Sequence, residues 1–224
     1  GISPKRFIQD LACRRATGLL DRGLDLLATS LEAGLSGPGR LHDHLVRIEA
    51  MSPGEWKNRG EGMTLILGEG DTPFGRALVA RSARGIHRLD FMDQPADRVR
   101  FRELMLDRWA RAEIRSDDAG AQTVLDRIFR SARGDFRLAL VATPFQVAVW
   151  KALLRLPAGQ TCGYHHLAVR AGHPEATRAV GNALAANPVA MLIPCHRVLA
   201  EDGGLCGYRW GMARKLGLLA QEET

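Results

Sequence analysis

Ile193-Pro194-Cys195-His196-Arg197-Val198 overlaps the end of an apolar run, Val189-Ala190-Met191-Leu192-Ile193, and the two together frame the rest of the chain. The run predicts a buried strand. Pro194 stiffens its end, and Cys195 is presented there with His196 and Arg197 directly behind it. A nucleophile thus adjoins a base. Imidazole and cationic neighbours lower a thiol pKa, and the thiolate is the attacking form. The competing reading of Cys195 is a small buried hydrophobe. The dipeptide alone does not choose between them, but the surrounding chain does.

The segment 144–224 reads as a compact set of helices around that stretch. Thr143-Pro144-Phe145-Gln146 is a helix start: Thr143 caps, Pro144 fits the first helical position, and Gln146 completes a capping box. Phe145, Val149 and Leu153 then repeat at helical spacing, and Pro157-Ala158-Gly159 ends the helix. A short helix from Tyr164 to Ala171 stops at Gly172. Another, from Glu175 to Ala186, ends at Asn187-Pro188. This is a helix-turn-helix plan. Its second helix carries Ala176, Ala179, Gly181, Ala183, Ala185 and Ala186. Small residues permit either tight helix packing or close approach to a DNA groove, with Arg178 projecting.

Residues 1–60 read as helical too. Ser3-Pro4 opens a first helix. A short helix stopped by Gly34 is followed by a second, from about Gly37 to Ile48, carrying Arg40, His42, His44 and Arg47. That pattern fits a DNA-binding helix-turn-helix or a plain helical hairpin equally. Gly1-Ile2-Ser3-Pro4-Lys5-Arg6-Phe7 resembles Ala50-Met51-Ser52-Pro53-Gly54-Glu55-Trp56, so the first copy would close an earlier unit. The arrangement resembles the tandem module of AraC-type regulators, with only its second half present. After a linker at 58–62, Met63–Leu67, Gly75–Arg81 and Ile86–Phe91 predict an antiparallel meander. Helices follow at 95–108 and 119–132, then a strand at Leu138–Val141. Asp90, Asp93 and Asp97 read as a solvated face rather than a metal site.

Composition narrows the classes. The 224 residues are 46% hydrophobic and 25% charged, an ordinary globular balance. No apolar run reaches membrane-spanning length and no signal peptide is evident, so a cytoplasmic protein without membrane association is expected. Cys13, Cys162, Cys195 and Cys206 include no Cys-x-x-Cys pair, which argues against a zinc ribbon or disulfide scaffold. The formal net charge is +6, with 8 basic against 5 acidic residues in 144–224, which suits an anionic partner.

Phe145-Gln146-x-x-x-Trp150, Tyr164-x-x-Leu167-Ala168, Arg178-Ala179-Val180-Gly181, Ala186-Asn187-Pro188, Ile193 to Val198, and Gly207-Tyr208-Arg209-Trp210-Gly211-x-x-Arg214-Lys215-x-x-Leu218-Leu219 occur in an order and spacing that resembles the O6-alkylguanine-DNA alkyltransferases. The Gly-Tyr-Arg-Trp-Gly form resembles the bacterial Ada-type branch. The resemblance implies an α+β multidomain chain: an AraC-type helix-turn-helix segment at 1–60, a ribonuclease H-like domain at 61–141 and a winged-helix-like catalytic domain at 142–224. It implies a single-use reaction in which an alkyl group passes from O6 of guanine, or O4 of thymine, in double-stranded DNA to the protein. No metal or organic cofactor is implied, and a monomer is expected.

Roles carry over by position. Cys195 is similar to the acceptor and His196 to the base that takes its proton through a water. Glu222 matches the carboxylate that orients the histidine, with Glu223 as the adjacent fallback. Tyr164 resembles the hydroxyl that assists departure of guanine. Arg178, with Ala179 beside it, resembles the finger that replaces the flipped base, and Asn187 the hinge of the active-site turn. Arg40 and Arg47 are the DNA contacts expected of the first segment. Two positions depart from the family pattern: Cys206 stands where a small or hydroxyl residue is common, and Ala190 where some relatives have proline. No cysteine cluster matches the zinc-bound domain that often accompanies Ada-type proteins. Two alternatives accompany the resemblance: a regulator that binds alkylated DNA without repairing it, and a cysteine hydrolase.

Overall fold

The computed structural model describes residues 45–51, 57–130 and 134–222. Its first strand, β1 (Leu45–Ala50), corrects the sequence reading, which ran a helix to Ile48. Val46 and Ile48 alternate with Arg47 and Glu49, a period of two that suits a half-buried strand. Exposure follows it, with Val46 and Ile48 partly covered and Arg47 and Glu49 exposed. Arg47 therefore lies on a strand, where its guanidinium meets Asp135 at 3.4 Å. Arg40, His42 and His44 lie outside the described residues, as does the rest of the expected helix-turn-helix before Leu45.

The meander is present as β2 (Thr64–Thr72), β3 (Gly75–Ser82) and β4 (Gly85–Phe91), antiparallel throughout. Helix α1 (Pro95–Arg108) follows, then β5 (Glu113–Ser116), α2 (Asp118–Phe129) and β6 (Asp135–Leu140). The sequence reading missed β5, a four-residue exposed edge strand with too few apolar positions to show a period. The mixed sheet has the order β1-β6-β4-β3-β2-β5, with β1, β6 and β4 parallel and β5 parallel to β2.

The two faces of the sheet differ. Leu65, Leu67, Leu78 and Ala80 face α1, packing with Phe101, Met105 and Trp109. Ala77, Val79, Leu89 and Phe91 face the other way, into a larger cluster with Leu125, Ile128 and Phe129 of α2. Gly68 makes that side possible. A Cβ there would lie 2.3 Å from the Asp117 carbonyl oxygen and 2.7 Å from the Ala121 Cβ, so any side chain would lift α2 off the sheet.

The larger cluster continues without a break into 144–222. It takes in Val149, Trp150 and Leu153 of α3 (Pro144–Leu154), Leu167 and Ala168 of α4 (Tyr164–Arg170), and Val180 and Ala183 of α5 (Thr177–Ala185). The capping box of α3 forms as expected: the Gln146 amide N–H donates to the Thr143 hydroxyl at 3.2 Å, and the Thr143 N–H to the Gln146 side chain at 2.9 Å. A parallel pair, β7 (Cys162–Gly163) and β8 (Val198–Leu199), and helix α6 (Met212–Glu222) complete the chain. No helix among the described residues is long and apolar enough to cross a membrane.

Polar contacts tie α6 and the loop before it to the meander. The Trp210 indole donates to Asp90 at 2.8 Å, and Arg214 donates to the Phe74 carbonyl at 2.9 Å and to Asp93 at 2.6 Å. Asp97 accepts from the Asp93 and Gln94 N–H groups at the start of α1. The three aspartates that read as a solvated face are thus two clasp residues and a helix cap. Among the described residues no group of three or more potential ligands could hold a metal ion.

Candidate active site

The run Val189–Ile193 is buried as expected but is not a strand. Val189 makes one isolated parallel bridge to Leu89, and the chain then turns, with Met191 at φ +69°. Side-chain chemistry decides the path. Asn187, fully buried, donates from Nδ2 to the Ile193 carbonyl at 3.0 Å and accepts at Oδ1 from the Val189 N–H at 2.9 Å. Those two bonds fold 187–193 back on itself, which an extended strand could not do. A left-handed φ at a non-glycine residue is strained and persists only where its surroundings enforce it.

Cys195 is placed by the next turn. Pro194 has φ −79° and ψ 60°, and the Cys195 N–H donates to the Ile193 carbonyl at 2.8 Å, an inverse γ-turn at a residue whose ring already fixes φ. A 3₁₀ turn, Cys195–Arg197, follows. Side chains in such a turn diverge by roughly 120° from one residue to the next. Cys195 is accordingly half-buried, with the Asn187 amide donating toward its Sγ at 3.3 Å, while His196 and Arg197 point into the core. Burial pushes the Cys195 thiol up to about 11, against the Asn187 hydrogen bond and the positive charges of Lys215 and Arg209.

Glu222, the last described residue of α6, receives both inward side chains. His196 Nε2 lies 2.5 Å from Oε1, and Arg197 donates to Oε2 at 2.9 Å and to Oε1 at 3.3 Å. The Gly159 N–H adds a bond to Oε2 at 3.1 Å. Gly159 has φ +72°, and a Cβ on it would lie 3.0 Å from the Glu222 carbonyl oxygen, so glycine suits both the backbone angle and the close approach. Burial holds the His196 pKa below its usual value, with the Glu222 charge opposing the shift. A neutral imidazole whose Nε2–H faces a carboxylate presents its other nitrogen as a base. Tyr208 stands edge-on to the His196 ring, centroids 6.4 Å apart, and its hydroxyl is buried with no hydrogen-bond partner among the described residues.

Tyr164, the first residue of α4, directs its hydroxyl to Cys206 Sγ at 3.0 Å. Its ring edge rests near Gly181 of α5, where a Cβ would lie 3.7 Å away. The Trp150 indole holds α5 through the Ala183 carbonyl at 2.9 Å. Arg178 and Ala179 are exposed on the first turn of α5. The structure therefore brings together two bonded pairs, Asn187–Cys195 and His196–Glu222, joined by the Cys195–His196 peptide bond, with Tyr164 packed against the helix that carries Arg178. Glu223 lies outside the described residues. The sequence reading assigned no role to Arg197, whose buried guanidinium also donates to the Leu156 carbonyl at 2.5 Å, or to Lys215 and Cys206. Basic residues inside an otherwise apolar motif were the available signal.

Residues 144–224 match the family model "6-O-methylguanine DNA methyltransferase, DNA binding domain". The fold is similar to Mycobacterium tuberculosis OGT, solved in complex with DNA: TM-score 0.57 at 34% identity, covering 70% of this chain and 92% of that one. It is the mixed α/β alkyltransferase fold. The methylated-DNA–protein-cysteine methyltransferase of Methanosarcina barkeri is 38% identical over 160 residues, 69% of this chain and 94% of its own length. The chain belongs to that family, the methylated-DNA–protein-cysteine methyltransferases. It is also similar to the Escherichia coli protein "Bifunctional transcriptional activator/DNA repair enzyme Ada", 34% identical over 99% of this chain, and spans 63% of that relative's length.

Proposed function

We propose that this chain repairs DNA by direct reversal, moving an alkyl group from O6 of guanine, and from O4 of thymine, irreversibly onto Cys195. The observation that carries the reading is the buried Glu222–His196 pair directly behind a thiol that Asn187 clamps at a turn. The Cys195 proton passes to His196 through a bridging water. The thiolate attacks the alkyl carbon in line, the S–C bond forms as the C–O6 bond breaks, and the electron pair stays with the purine. Glu222 fixes the imidazole tautomer and stabilises the imidazolium, as the carboxylate does in other triads. The Tyr164 hydroxyl donates to the departing base.

A paired guanine hides O6 inside the duplex, so the base must be extruded at a cost of a few kcal/mol. The exposed Arg178 fills the gap, and the small Ala179 and Gly181 let α5 approach the groove. In this reading double-stranded DNA carrying O6-alkylguanine is the partner, and the protein works as a cytoplasmic monomer. The sheet with its helices is the ribonuclease H-like unit, and 142–224 is the winged-helix-like unit with α4 and α5 as its helix-turn-helix. The similarity to Ada over nearly the whole chain supports a regulatory role for the residues before Leu45.

The test is incubation with duplex DNA bearing methyl-labelled O6-methylguanine. Stoichiometric label on the Cys195 peptide is expected. Label that never becomes covalently attached, or that attaches equally after Cys195→Ala, would overturn the reading. Tight lesion binding without loss of the thiol would favour the non-repairing regulator.

A further inference from the structure

Cys206 departs from the family pattern, and the structure places it at a junction. Its Sγ accepts the Tyr164 hydroxyl at 3.0 Å, donates to the Val198 carbonyl at 3.3 Å and lies 3.4 Å from Lys215 Nζ. Lys215 is a lysine with 1% of its surface exposed. Its ammonium donates to the Val198 carbonyl at 2.7 Å, to the Cys206 carbonyl at 3.2 Å and toward the Cys206 sulfur. All three of its hydrogens are therefore directed at the end of β8 and at Cys206. A buried ammonium satisfied in this way does not wander, because leaving any of these acceptors leaves a charge unpaired in the core.

Lys215 thereby pins Cys206, and Cys206 fixes the far end of Tyr164. The edge of the Tyr164 ring lies beside Gly181, where a Cβ would stand 3.7 Å away, while its hydroxyl is held by Cys206. Tyr164 and Cys195 pack against the same apolar cluster. Sulfur is a weak acceptor. It orients the hydroxyl, and the hydrogen can pass to a better acceptor when one arrives.

On the proposed repair reading, we infer that Cys206 is a positioning residue for alkyl transfer: with Lys215 it holds the Tyr164 hydroxyl ready in the DNA-free protein and releases its hydrogen to the extruded base. Cys206 touches neither the alkyl group nor Cys195 in this scheme, and it acts through Tyr164 alone.

The full chain carrying Cys206→Ala, Cys206→Ser, Tyr164→Phe and the Cys206→Ala/Tyr164→Phe pair is tested in single-turnover transfer from methyl-labelled O6-methylguanine duplex, with DNA affinity measured separately. At saturating DNA, Cys206→Ala is expected to slow transfer about two- to tenfold, the worth of one hydrogen bond, with affinity unchanged within about twofold. Cys206→Ser should recover most of the rate. In the Tyr164→Phe background Cys206→Ala should cost nothing more, since the pair acts as one unit. An equal loss in both backgrounds, a loss seen only in affinity, or a serine no better than alanine would overturn the inference while leaving the repair reading intact. Wild-type protein that takes up no label overturns both.

Discussion

Replacing Glu222 by glutamine keeps the shape of the site and removes one charge. Four hydrogen-bond donors converge on this carboxylate: His196 Nε2, Arg197 Nε and Nη2, and the Gly159 N–H. A glutamine side chain has one acceptor oxygen and turns an NH₂ toward the rest, so at least one donor of Arg197 or Gly159 faces another donor. The Arg197 guanidinium, 3% exposed, is then a buried cation without its counter-charge. Breaking a buried pair from one side costs about 3–5 kcal/mol. For a chain of this size that corresponds to a fall in Tm of roughly 6–20 °C. Transfer suffers separately, because the amide no longer fixes the imidazole tautomer, and the analogous carboxylate-to-amide change in a serine-protease triad costs about 10⁴ in rate.

The two effects separate in the double variant Arg197→Leu/Glu222→Gln. Removing the orphaned cation should restore much of the stability and none of the rate. The assays are thermal unfolding by circular dichroism and single-turnover label transfer at a temperature where each variant is folded. A Glu222→Gln protein that melts within about 2 °C of wild type and transfers at an unchanged rate would refute the argument.

Three further outcomes are expected. Asn187→Ala removes the bonds to the Ile193 carbonyl and the Val189 N–H in a fully buried position, and should cost about 2–4 kcal/mol while slowing transfer more than it weakens DNA binding; the reverse order would contradict its role in holding the turn. Cys195, with its thiol pushed up to about 11, should react with iodoacetamide in the absence of DNA at a rate that climbs about tenfold per pH unit through pH 9–10, followed by mass spectrometry of its peptide; a plateau below pH 8 would mean a preformed thiolate. His87 is lowered from 6.5 to about 4 by burial and by the charges of Arg84 and Arg108, so the unfolded chain takes up a proton before the folded one does. The stability it contributes is present above about pH 6.5 and is lost as pH falls toward 4, about 3 kcal/mol in all; denaturant titrations should show His87→Gln flattening that dependence, and identical curves would sink the assignment.

Where side-chain pattern and local chemistry agree, the structure was legible in the sequence. The meander showed because glycine turns separate short apolar runs, and α3 because Thr143, Pro144 and Gln146 each satisfy a different terminal requirement. Cys195, His196, Glu222 and Asn187 were singled out through an ordered motif, and the structure pairs Asn187 with Cys195 and His196 with Glu222. What failed were cases where a tertiary partner outweighs the local signal. β1 is a strand because β6 lies beside it, and six residues next to a helical pattern gave too little period to say so. Val189–Ile193 has the composition of a strand, but Asn187 holds both ends of the run. Asp90 and Asp93 lie 120 and 121 positions from Trp210 and Arg214 respectively, a separation no local pattern reveals.

The uninterrupted apolar cluster bears on whether the stretch 144–224 is portable. Excising 144–224 would uncover apolar surface now clustered with Phe74, Leu89, Phe91, Phe129 and Leu138, and would strip the Trp210 indole of its Asp90 acceptor and the Arg214 guanidinium of Phe74 and Asp93, leaving it the Trp210 carbonyl. Such a fragment would have an exposed wet seam where it now has a dry one. The sheet is thus the missing half of that segment's interior, and the motif-bearing residues alone should make a sticky, poorly cooperative peptide rather than a transplantable module.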